Sequence, residues 1–406
     1  MSDYRLNPAG RTLESNSLVD EVIAKELSRR QMVRGVMTTT VGGWLGAVGL
    51  AACGDASNGN AVGTIPGGQL GDSALPSGRD AGIEPPEDSR AVVNPTAHLV
   101  GMGWHEQDRN AAMKAALDET VGLRMIKPGQ SVYLRVNSNS GDKYPYSTAP
   151  ETLLAVGGML RDMGVTDLRI GDRSFWGDTD TAGNLRSNGI AGAATTLGTT
   201  AMVFDDTVDW VTLPPGSVPN WKGTVRLPAA AVNADHMIIL SCVKTHFIAT
   251  ITMSLKISLG LVHPSDRARE GNLKNHDTRV LYKQTAQINK AFTPSLIIQD
   301  GYSTLASGGP TKRDRPSGAP AGFTPSIVNP KIFIVSTDRI AADVAGIGVL
   351  QTLSPAWEAV MKTTPFKNPQ ILESIAAGLG ITGPEAFDLS GPTVPMIDEY
   401  RAKVLA

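Results

Sequence analysis

The segment SCVKTHFIATITMSLKISLGLVHPSDR, residues 241–267, sets two lysines and two histidines among Ile, Leu, Val and Met. Lys244, His246, Lys256 and His263 are the residue types of proton transfer, anion binding and metal ligation, and apolar surroundings perturb such groups most strongly. On a helix over 250–262, at ~100° per residue, Ile251, Leu255, Leu259 and Val262 form one apolar stripe and Met253, Ile257 and Leu261 a second. Only Thr252, Lys256 and Gly260 share the narrow band between them. A helix apolar on nearly all sides is buried, so Lys256 is expected to face a crevice that Gly260 widens. A buried ammonium must pair or give up its proton. Asp300, Asp343 or an anionic ligand could pair with it; alternatively, Lys256 snorkels to the surface or meets a purely structural partner.

Lys244 and His246 flank Thr245 just past an expected strand and share a side if the backbone stays extended. His263 follows the helix, where its imidazole would face the negative end of the dipole. His246 by itself reads equally well as a satisfied core histidine. His246, His263 and His276 are 17 and 13 residues apart, which matches no recognised metal spacing, yet with Asp300 they could converge through the fold on a divalent metal. The chemistry expected of such a cleft uses Lys256 as the anion-binding or general acid/base group and His246 as a proton shuttle. Lys244 stands alongside, and Asp300 is their partner or a metal ligand.

Several other chemistries are excluded. The two cysteines, Cys53 and Cys242, form no CxxC pair, which rules out Cys-based zinc sites and Cys-ligated iron–sulfur clusters. Gly301-Tyr302-Ser303-Thr304-Leu305 starts like a nucleophile elbow but lacks the final glycine. There is no P-loop, and no complete GxGxxG follows a strand. With 37 basic against 39 acidic side chains, charge gives no case for nucleic acid as a partner.

The elements that would position these residues alternate between short β-rich runs and helical stretches, which predicts an α/β fold. The sheet is expected to be mixed or mostly parallel and flanked by helices, in one large or two interleaved subdomains. Strands are expected at 131–137, 165–172, 201–205, 236–243, 295–300 and 331–336. Helices are expected at 108–119, 148–164, 250–262, 278–292, 338–351, 368–379 and 395–405, with Thr148 as N-cap of the second. The Pro- and Gly-punctuated stretch 206–228 reads as a hairpin or an insertion, and 101–108 as a loop after the first strand. Polar residues recur at strand ends: Asn137 and Asn139, Asp172 and Arg173, Lys244 and His246, Asp300, and Asp338. Open α/β sheets bind ligands there. After Asp300 a long Gly-rich loop carries Lys312, Arg313 and Arg315, either closing over an anionic substrate or simply solvated by its charges.

The first 95 residues read differently. SRRQMVR at 28–34, with Arg29 and Arg30, resembles a twin-arginine export signal. The weakly apolar run that follows ends at Leu50-Ala51-Ala52-Cys53, which resembles a lipobox. These likenesses imply that residues 1–53 are an export and lipidation signal cut so that a lipidated Cys53 becomes the first mature residue, with the twin-arginine machinery as a partner and a protein anchored on the periplasmic side of a bacterial envelope. Residues 54–95 are rich in Gly, Pro and Ser without periodicity, as in a flexible tether. Residues 96–406 form the folded body.

Five stretches of that body, taken in order, resemble the DUF362 family: IKPGQSVYLRVNSN, STAPETLLAVGGMLRDMGVTDLRIGD, VKTHFIATITMSLKISLGLV, IIQDGYSTLASGGP and STDRIAADVAG. Asn137 stands at the asparagine of the family's first strand. The family usually shows Lys-Asn in the central helix, whereas Lys256 is followed here by Ile257. The resemblance implies no reaction. The residues themselves lead to two readings of the cleft, an enzyme acting on a small anionic substrate or a non-catalytic solute- or metal-binding lipoprotein. An envelope scaffold is a third.

Overall fold

The β-branched runs become the strands of one large sheet. They are β1 (Val100–Trp104), β2 (Val132–Val136), β3 (Leu168–Asp172), β4 (Ala201–Val203), β7 (His236–His246), β8 (Thr250–Ile251), β9 (Leu296–Ser307), β10 (Ser326–Val328), β11 (Ile332–Ser336) and β12 (Leu389–Ser390). A separate antiparallel pair, β5 (Trp210–Thr212) and β6 (Arg226–Pro228), accounts for the stretch 206–228. The computed structural model describes residues 97–406 apart from 175–179 and 274–277. The chain divides into Met1–Ile83 and Glu84–Ala406, and every described residue belongs to the second unit. Arg29, Arg30, Cys53, the tether and His276 therefore lie outside the described residues. Among the described residues, no helix is long and apolar enough to cross a membrane.

The fold is α/β, with a mixed, mostly parallel sheet flanked by helices. Its main path runs β12-β1-β11-β9-β7-β2-β3-β4. From β9 through β7, β2 and β3 to β4 every neighbour is parallel; β11 and β1 join antiparallel beyond β9. Alternation along each strand sends side chains to two faces, both of them covered. Leu134, Val136, Ile170, Leu240 and Ile298 pack against α1 (Arg109–Asp118) and α2 (Pro150–Asp162). Ile239 and Ile297 meet Ile257 and Ala342 on the other face, which brings α3 (Met253–Ile257) and α5 (Arg339–Leu353) against the sheet. Beside them, Tyr133 and Met237 share a core with Leu281 and Ile288 of α4 (Thr278–Asn289).

Several local expectations change. Gly101 to Trp104 belong to β1 rather than to a loop. Thr148 does not cap α2: its hydroxyl donates to Leu240 O at 2.7 Å and accepts from Asn137 N at 2.8 Å, so it ties the chain after β2 to β7. Ala149 is the N-cap, and Pro150 starts the helix, where its missing N–H leaves no donor unsatisfied. The single helix expected over 250–262 is three pieces: β8, the short α3, and a 3-10 turn at Ser258–Leu261. The apolar content of 250–262 is explained equally well by burial in several short pieces, and the pairing of β8 with the end of β7 sets the first of them apart from the helix.

Asp343 of α5 sets where α3 begins. Its carboxylate accepts from Ser254 N at 2.9 Å, Ser254 Oγ at 2.6 Å, Leu255 N at 3.1 Å and Gln299 Nε2 at 2.6 Å. These include orphan donors of a helix start, satisfied here from a different element. Burial nevertheless pushes this carboxyl up to about 6. Asp343→Ala should lower unfolding stability by on the order of 3 kcal/mol, because it strands several buried donors at once. Urea midpoints measure this, and Asp343→Asn, which keeps one acceptor, should lose less.

Candidate functional site

The chain leaves β2 for β3 and β4 on one side and returns to β7 on the other. Strand order thus reverses at β2, and in open α/β sheets the crevice beyond such a point binds ligands. A pocket with about 360 Å³ of free space, part of it open to solvent, lies there. Asn137 and Asn139 come from just past β2, and Asp172 and Arg173 from the end of β3. The segment 252–267 supplies Thr252, Lys256, Ile257, Leu259, Gly260 and Arg267; Arg135 and Pro310 complete the wall.

Arg135 and Asp172 form a buried ion pair at 2.7 Å, each side chain only 2–3% exposed. A buried pair survives when its remaining donors and acceptors are also met. Arg135 donates to the carbonyls of Val136 and Ile257, and Asp172 accepts from Ser138 N and Arg173 N, both at 2.6 Å. A Cβ at position 260 would collide with both the guanidinium and the carboxylate. Gly260 is therefore required by close approach.

With Arg135 matched by Asp172, the wall still carries Arg173, Lys256 and Arg267. Burial pushes the Arg267 guanidinium down to about 9 although Asp172 opposes the shift. Lys256 keeps partial access to solvent, yet desolvation, then the charge of Lys244, pushes it down to about 7. Lys244 is fully buried beside the pocket, donates to Tyr146 O and is pushed down by burial to about 8. Asp314 works against the shift at both lysines.

Two further features mark the wall. Among the described residues, Thr252 Oγ1 and Arg135 Nε are buried with no hydrogen-bond partner. Thr252 also sits between two non-glycine residues at positive φ, Thr250 at 67° and Met253 at 39°. Such conformations cost about 1–3 kcal/mol each and persist where surroundings over-determine them, often at functional sites. Here β8 pairs with β7 on one side and Asp343 grips Ser254 and Leu255 on the other.

Of the residues singled out in the sequence, Lys256 lines the pocket and Lys244 lies against it. His246 does not reach the wall. Its Nδ1 accepts from Ile248 N at 3.1 Å and Ala249 N at 3.2 Å, which makes it a turn residue between β7 and β8. Asp300 is not at a strand end, because β9 continues to Ser307. It pairs with Arg109 and accepts from Tyr144 OH and Thr152 Oγ1, each at 2.5 Å. Burial raises its pKa, with Arg109 opposing. Asp300 and Asp343 are thus each held by partners other than Lys256.

His263 does not follow a long helix either. Its Nε2 lies 3.0 Å from Asp206 Oδ1, and its Nδ1 accepts from Ser265 N at 3.2 Å, capping the turn Pro264–Arg267. His263 and Asp300 thus have separate partner sets, and among the described residues no group of three His, Cys, Asp or Glu could hold a metal. Asp338 is the N-cap of α5, accepting from Ala341 N at 2.8 Å. In the basic loop, Lys312 pairs with Asp142 at 3.4 Å and Arg315 donates to Ala319 O and Pro320 O. Arg135 and Arg267 were missed. The available signal was an arginine inside an otherwise apolar strand, two residues before Asn137.

Residues 132–348 match the family described as a domain of unknown function, DUF362. The chain belongs to the DUF362 family. Every residue of the pocket wall falls inside the matched span. The chain is also similar to a thylakoid-associated protein of Synechocystis sp., 24% identical over 273 residues, or 64% of this chain and 80% of that protein. No solved structure matches it.

The lowered lysines have a consequence for stability. Between about 7 and the ordinary 10.5 the unfolded chain holds a proton on Lys256 that the folded protein has lost. This group's contribution therefore rises with pH through that window, and below it the folded state bears a desolvated ammonium. Lys256→Met should be more stable than wild type at pH 6, and its lead should shrink by pH 9. Urea midpoints at both values test this; a pH-independent difference would count against the pocket's electrostatics.

Proposed function

We propose that the DUF362 pocket binds a small anionic ligand and that the protein is an exported, lipid-anchored enzyme in which Lys256 exchanges a proton with that ligand. The observation that carries this reading is the concentration of Arg135, Arg173, Lys256 and Arg267 on one wall, with Asp172 as the carboxylate among the described residues there. Guanidinium groups suit carboxylate and phosphate oxygens, and a lysine near 7 is matched to acid–base work at neutral pH. The Thr252 hydroxyl supplies a further polar contact. His246 is left out of this mechanism because it is not part of the pocket wall and its Nδ1 accepts from the turn. Export and anchoring are supported by the motifs around Arg29-Arg30 and Cys53.

Sulfate, a dianion that does not titrate near neutrality, is the probe for the site. The full chain should bind it more tightly at pH 6 than at pH 8.5, because Lys256 loses its charge through about 7. Lys256→Met should weaken binding about tenfold at pH 6 and flatten the pH profile, in line with one charge-assisted contact. Calorimetry reads both. No sulfate binding at pH 6, or an unchanged profile in Lys256→Met, would overturn the reading.

For the anchor, Arg29→Lys with Arg30→Lys should leave the protein in the cytoplasm. Cys53→Ser should abolish fatty-acid labelling and move the exported protein to the soluble fraction. Cell fractionation of a bacterial host decides both.

A further inference from the structure

We propose that Lys256 is a carbonyl-reactive amine and that the pocket takes a small aldehyde or ketone bearing a carboxylate or phosphate. This inference rests on the anion-site reading above and names a substrate class for it.

Among the described residues, Lys256 is the only primary amine on the pocket wall. Desolvation is the main influence against its protonation; Lys244 behind it and Arg267 on the same wall add to this, and Asp314 opposes it. Crowding by like charge and desolvation are the two ways to keep a lysine amine neutral and nucleophilic. The pocket is open to solvent, and Lys256 is partly exposed through it, so a small molecule has a path to the nitrogen. Arg173 and Arg267 stand on the same wall to hold an anionic group, while Ile257 and Leu259 provide apolar surroundings for an imine.

The step balances without a redox partner. The Lys256 Nζ lone pair forms a bond to the carbonyl carbon, and the π electrons move to the oxygen. That oxygen takes the proton released by the nitrogen, giving a carbinolamine. A second proton from solvent converts the hydroxyl to departing water, and the nitrogen lone pair closes the C=N bond of a protonated imine.

Glyoxylate with cyanoborohydride, added to the full chain at pH 7.5 and followed by peptide mass spectrometry, tests the proposal. The reduced adduct should form on Lys256 about tenfold faster than on the exposed Lys290 and Lys367. Sulfate should slow labelling at Lys256 alone, and uncharged acetaldehyde should lose the preference. Lys256→Arg should lose the adduct while still binding sulfate, which shows that the pocket remains folded. Labelling of Lys256 no faster than of exposed lysines, with sulfate binding intact, would overturn this proposal and leave the anion site standing. Failure of sulfate binding as well would remove both.

Discussion

The buried Arg135–Asp172 ion pair is the constraint around which the carboxyl edge of the sheet is arranged. Two charges removed from water are held in place by partners for their remaining lone pairs and protons, which this pair has at several atoms although not at Arg135 Nε. The partners come from three parts of the chain. Arg135 reaches the carbonyl of Ile257 across the sheet face, and Asp172 takes the N–H groups of Ser138 and Arg173. The pair therefore fixes β2 to β3, the chain after each strand, and the segment 253–261 that lies over them. Gly260 follows from it, since a side chain there would occupy the space of the guanidinium and carboxylate.

Around that pair the charges are sorted. Asp300 is drawn into a buried cluster with Arg109, Tyr144 and Thr152, and Asp343 into the start of α3. Both carboxylates are thereby withheld from Lys244 and Lys256. The lysines are left with Asp314, Asp142 and Asp172 as influences on a site whose desolvation favours the neutral amines. The strained backbone at Thr250 and Met253 belongs to the same arrangement: it turns the chain from β8 into α3 so that Thr252 and Lys256 share a wall.

Much of the fold was legible because its cause is local. Strands rich in Val and Ile, the βαβ pattern of 131–172, and the helices starting near Asp108 and Asp338 declare themselves through periodicity and end signals. The pocket was legible in part. Lys256, Thr252 and Gly260 stood out as one band in an apolar stretch, and Asn137, Asn139, Asp172 and Arg173 as polar strand ends. All seven line the wall. Asp300 misled because Gly301 imitates the end of a strand, whereas pairing with β11 and β10 carries β9 on to Ser307. His263 and His246 misled because a histidine accepting backbone N–H groups in a turn has the same sequence signature as a ligand.

By itself, then, the sequence determined the class of fold, the order of most of its elements and the family, since these depend on periodicity and on motifs read in order. It also determined that Lys256 lies in apolar surroundings. Only the tertiary structure decided which charges meet. Pairing Arg135 with Asp172, Asp300 with Arg109 and Asp343 with Ser254 spans separations of 37, 191 and 89 residues. Electrostatic partnership depends on distance in space, and only the packed sheet with both faces covered sets those distances.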